Sequence, residues 1–105
     1  MSAPDWELDL DRLNQDDPFE VDQVNAAHLA KHDHFATDDL YDAFADNPIF
    51  VGAPHEPALW LMIAEIPGDI VIIPLMRARN PTQVRPIGIY RANTRYRKVF
   101  RDAWR

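Results

Sequence analysis

The chain has 105 residues, is 47% hydrophobic and contains no cysteine. This suits one compact domain held by packing alone, and it excludes disulfides, thiolate metal sites and cysteine nucleophiles. No run approaches the ~18 apolar residues that cross a bilayer, and the acidic opening MSAPDWELDLD is unlike a secretory signal, so the expectation is a soluble, cytoplasmic protein with no membrane partner. The formal charge of −6 hides a strong polarity: residues 1–50 carry thirteen acidic and two basic side chains, residues 77–105 nine basic ones and only Asp102. A basic segment of that density suits phosphates, nucleic acid or an acidic polypeptide, and the chain's own acidic end is one such polypeptide.

Residues 1–18 read as an acidic extension ahead of a domain over 19–105, because Asp5, Glu7, Asp9, Asp11, Asp16 and Asp17 crowd it and Pro18 closes it. Within it Trp6, Leu8 and Leu10 alternate with acids, as in an edge strand or a frayed tail. The spacing then predicts a helix over 21–32. Val24, Ala26, Ala27, Leu29 and Ala30 form its apolar side, and Asn25, His28, Lys31 and His32 a contiguous polar stripe. Thr37, read as an N-cap before Asp38 and Asp39, opens a second helix with Leu40, Ala43 and Phe44 facing inward, ended by Asn47-Pro48.

Beyond Pro48 the pattern is that of strands, at 49–51, 59–66 and 70–76. The last two are joined by Pro67-Gly68-Asp69 into an antiparallel hairpin, and they are apolar enough to be covered on both faces. A loop over 77–82 leads to a strand over 83–90, where Pro86 implies a bulge or an edge. Asn93 caps a final helix whose Tyr96, Val99, Phe100 and Ala103 make a buried stripe, leaving Arg95, Arg97, Lys98 and Arg101 mostly towards solvent.

Two blocks carry a family resemblance. Phe19-Glu20-Val21-Asp22, Asn25 and His28-Leu29-Ala30-Lys31-His32, leading into Thr37-Asp38-Asp39-Leu40, form the first, and Gly88-Ile89-Tyr90-Arg91-Ala92-Asn93 with Arg97 and Phe100 the second. Together they resemble the opening and closing motifs of the BrnT-like toxin family. The resemblance spans 19–101 and implies an α+β domain of the RelE type. Its sheet would be small and antiparallel, of three to four strands, with two N-terminal helices and one basic C-terminal helix. It further implies a toxin–antitoxin protein that binds RNA and cleaves it without metal, restrained by an antitoxin-like partner. Asp33, Tyr90, Tyr96 and Phe100 stand where the family carries glycine, arginine, glutamate and tyrosine. The alternative they favour is a non-catalytic relative that binds protein or nucleic acid.

Internal cleavage of RNA needs a base, a cation beside the crowded phosphate and an acid for the leaving oxygen. His32 suits base or acid, Lys31 and Arg91 suit the phosphoryl charge, and Arg95, Arg97, Lys98, Arg85 and Arg79 suit flanking phosphates. Equally, His32 is suited to a structural place at a helix end. His28 and His32 sit at a metal-sharing spacing, but Leu29 replaces the glutamate a zinc hydrolase needs there, so neither metal nor cofactor is expected. His55, between prolines, reads as a surface-loop residue. Trp60, Trp104 and Tyr41 read as core or interface residues, with stacking on bases the lesser alternative.

Overall fold

A computed structural model describes residues 10–29 and 35–104. In chain order it holds α1 (Gln23–Leu29), α2 (Thr37–Ala45), β1 (Ile49–Gly52), β2 (Trp60–Ile66), β3 (Asp69–Arg77), β4 (Val84–Pro86), β5 (Tyr90–Arg91) and α3 (Thr94–Ala103). The class is α+β, with an antiparallel sheet ordered β1-β2-β3-β4 and β5 also paired to β3. β4 and β5 are two pieces of the single last strand expected over 83–90. None of the described helices is long and apolar enough to cross a membrane.

The hairpin β2–β3 is the centre of the molecule. Gly68, at φ 92°, supplies the left-handed turn residue between the two strands. Alternation along the strands divides their side chains between two cores. Trp60, Met62, Ala64, Val71, Ile73 and Leu75 face Leu29 of α1 and Leu40 and Ala43 of α2. Leu61, Ile63, Ile70 and Ile72 face Phe100, Tyr96 and Val99 of α3. The sheet is therefore covered on both faces, as the continuous apolar runs require.

The basic C-terminal helix forms as its local signals dictate. The Asn93 side chain accepts the Tyr96 N–H at 3.0 Å, satisfying one of the donors a helix start leaves over. Phe100 is buried, whereas Ala103, placed on the same stripe by spacing, lies exposed beyond the end of the sheet contact. In α2 the cap is Ala36 and not Thr37: with no side-chain oxygen at the cap, the Asp39 carboxylate reaches back to accept the Ala36 N–H at 2.8 Å.

Pro86 sits, as expected, next to a break in the last strand, and the opposite strand explains why. The Pro74 carbonyl accepts the Ile87 N–H at 3.0 Å, so the nitrogen of Pro74 faces the same edge and has no hydrogen to offer. Pro86 itself, opposite Leu75, turns its backbone to the outer edge and takes no bond from β3. The Pro74 donor is the missing one, and with the register slipping by one residue between Leu75↔Pro86 and Ile72↔Tyr90, β4 and β5 are separate pieces. The outer edge of β4 is closed by the chain ahead of α1. Val84 donates to the Pro18 carbonyl at 2.9 Å and Glu20 donates to the Val84 carbonyl at 2.8 Å.

The extension is described from Leu10 onward. Leu10–Arg12 form a 3-10 turn, with Leu10 exposed and not in an edge strand, and Leu13 enters the core. The Asn14 N–H donates to the Thr82 carbonyl at 2.9 Å. Trp6 and Leu8 lie outside the described residues.

Candidate functional site

α1 presents a different side to the core than its periodicity predicts. Asn25 and Leu29 are the buried pair, while Val24, at 74% exposure, and His28 face outward. The cause is a reciprocal cap. Asp22 accepts the N–H groups of Val24 and Asn25, and the Asn25 side chain accepts the N–H of Asp22 at 2.7 Å. The Asn25 amide then donates to the carbonyls of Glu20 and, across the fold, Pro86. All the polar capacity of Asn25 is spent on backbone, which is why a polar residue can sit in the core.

The eight described basic residues of 77–104 separate into two groups. Arg85 lies between Glu20 and Asp22, with Nη1 at 2.8 Å from a carboxylate oxygen of each. The hydrogen bonds from Arg85 hold both carboxyls below the usual range, and for Glu20 the Arg79 N–H adds to this. The two carboxylates raise Arg85 in return. The Arg79 guanidinium joins the same pair of acids at 3.5 and 3.9 Å. At the hairpin turn, Asp69 receives Arg97 and, at 3.3 Å, Arg91. Burial works against the Asp69 charge, but the Arg97 and Ile70 hydrogen bonds and the nearby arginines outweigh it, and its carboxyl is held low. Arg97 also donates to the Ala92 carbonyl at 2.8 Å, and Arg77 lies over the Trp60 ring, 5.7 Å from its centre.

The second group is Arg95, Lys98 and Arg101. These are exposed along one side of α3 and make no ion pair among the described residues. Their three-residue spacing sets them about one helical turn apart. Arg95 is steadied by the Tyr96 ring, 5.7 Å from its guanidinium.

A groove of about 580 Å³ runs between α1 and β5, walled by Val24, Ala27, Pro57, Pro74 and Ile87, with Asn25, His28, Arg85 and Tyr90 contributing polar groups. Register explains its membership. Tyr90 pairs with Ile72 and Arg85 with Met76, so both side chains project on the face that α3 covers, as does Pro74. Alternation sends Arg91 to the opposite face, and it is not a lining residue. The outer end of the Tyr90 ring rests where a Cβ on Gly88 would be, at 2.4 to 2.7 Å, so a side chain at Gly88 would displace it.

Of the candidate catalytic residues, Lys31 and His32 lie outside the described residues, and Arg91 is tied to Asp69. Among the flanking cations, Arg79, Arg85 and Arg97 are engaged by carboxylates, and Arg95 and Lys98 are open. Sequence reasoning missed the groove residues Val24, Pro74 and Ile87. The Asp22-x-x-Asn25 spacing was the available signal for α1, since a capping pair there fixes which side of the helix turns inward. Trp60 and Tyr41 are packed in the core, His55 is exposed, and Trp104 is 54% exposed at the end of α3. Among the described residues no three His, Asp or Glu side chains cluster as metal ligands. No protein-family model, curated protein or solved structure matches the chain.

Proposed function

We propose that this domain binds RNA through the outer side of α3, as a module related to the BrnT-like toxins that holds a strand by its phosphates. The carrying observation is the division of the cations. In a chain of net charge −6, three neighbouring basic residues on one helix have no carboxylate partner among the described residues, while Arg79, Arg85, Arg91 and Arg97 are engaged. Open cations in a row are what a polyanion can neutralise, and RNA is the polyanion the family resemblance favours.

The test is binding of a labelled single-stranded RNA at several salt concentrations. Neutralising three phosphates gives a slope of log affinity against log salt of about −2. The triple variant Arg95→Gln, Lys98→Gln, Arg101→Gln loses that slope and the affinity with it. A slope unchanged in the triple variant would reject α3 as the binding face.

Cleavage is the second reading, favoured by one observation: His28 and Tyr90, two groups able to move protons, share the groove between α1 and β5. Fragments from RNA incubated with the purified protein and a metal chelator, absent with His28→Ala, would establish it. RNA recovered intact would leave the binding module alone.

A further inference from the structure

We propose that the groove between α1 and β5 receives one unstacked nucleobase of the strand held by α3, stacked on Tyr90, and that it does so with little preference between bases. This rests on α3 being the RNA-binding side, and it deepens that reading from a phosphate contact to single-strand recognition.

Shape and chemistry point the same way. A hollow of about 580 Å³ falls within the ~300–1,000 Å³ typical of small-ligand sites, which are mostly apolar with a few polar groups. The walls Val24, Pro57, Pro74 and Ile87 are apolar, and Tyr90 supplies an aromatic ring that is 36% exposed. Among the described residues no carboxylate lines the groove, although the chain carries seventeen acidic residues, which suits an anionic strand. Position supports the same ligand: Tyr90 projects on the sheet face that carries α3, and Asn93, three residues on, opens the helix bearing the open cations. Tyr90 and Asn93 thus link the groove to the N-terminal end of α3. Duplex RNA keeps its bases stacked and paired and offers nothing to insert.

A weak base preference follows from stacking and from the commitment of two of the groove's four polar groups to the fold. Two of the groove's polar groups, Asn25 and Arg85, are committed to Glu20, Asp22 and Pro86, so neither can read a base edge. Every base has a face to stack, and stacking alone is tolerant of sequence.

The experiment compares a labelled single strand, a duplex of equal length and a ribose-phosphate strand without bases, on the native chain and on Tyr90→Ala. Removing a stacking ring costs roughly tenfold in affinity on the base-bearing strand, with the salt slope unchanged and no loss on the strand without bases. Uridine and adenosine monophosphates, titrated by NMR, shift the amides of Val24, Ile87 and Tyr90, and still do so in the α3 triple variant. Val24→Glu, at an exposed helix position, places a carboxylate at the groove and reproduces the loss without touching Tyr90. If strands bind but Tyr90→Ala weakens all three probes equally, or none, and the mononucleotides shift nothing, the groove proposal is overturned and the α3 reading stands. If strands fail to bind while mononucleotides shift the groove, the α3 reading falls and the base site stands.

Discussion

Arg85 and Arg101 belong to the same basic stretch of sequence and do opposite work. Arg85 is half-buried between Glu20 and Asp22, tying the segment before α1 to the edge of the sheet, while Arg101 stands in solvent on α3 with no carboxylate partner among the described residues. A count of cations along the chain sees nine equivalent residues. The fold spends several of them on holding distant segments together and leaves a short row exposed on one helix with no carboxylate partner among the described residues.

The comparison can be broken most directly at Arg85. Arg85→Ala leaves two carboxylates facing each other with only Arg79 nearby, and thermal unfolding at pH 7 should show a fall in Tm of about 10 °C. Acid should close the gap. Both carboxyls are held below their ordinary values in the folded chain, so their contribution is complete above about pH 6, where the unfolded groups are fully ionised, and is lost as pH falls through the folded values. Melting curves at pH 3 should therefore bring the variant and the native chain closer together than at pH 7.

Asn25→Ala comes next. It strips partners from the Asp22 N–H and from the carbonyls of Glu20 and Pro86, at a cost of about 2 kcal/mol measured by denaturant unfolding. Gly88→Ala should cost under about 1 kcal/mol, because the atoms in the way are the outer end of the Tyr90 side chain, which can swing aside. Its effect should appear in the position of the ring, as altered NMR contacts between Tyr90 and its neighbours. Smallest is the α3 triple variant, Arg95→Gln, Lys98→Gln, Arg101→Gln. Each exposed change should stay within about 0.5 kcal/mol, so a large loss of stability there would erase the distinction between the two groups of cations.

What the sequence made legible was local. The Pro67-Gly68 turn, the apolar runs of β2 and β3, and Asn93 with the buried stripe behind it are specified by residues within a few positions of one another. The α+β class and the basic C-terminal helix could be read for that reason. The side of α1 that faces inward could not be read from periodicity, because a helix of seven residues is oriented less by its apolar content than by Asn25, one of whose partners lies 61 residues away. Arg79 and Arg85 were read as open cations on the same grounds: the acids that engage them come from the opposite end of the chain. The exposure of Arg95 and Lys98 was legible from helix spacing, whereas the tie of Arg97, on the same helix, to Asp69 was not.

Pro74 has a reach beyond its own strand. An ordinary residue there would offer the Ile87 carbonyl one more ladder bond, although the one-residue slip in register between β4 and β5 would still leave an extra residue between them. The missing hydrogen at one ring nitrogen thus falls where the last strand parts from β3, beside the hollow that Pro74 helps to line. Restoring the donor with Pro74→Val should leave the protein folded, with residue 87 held closer to β3 and the hollow shallower.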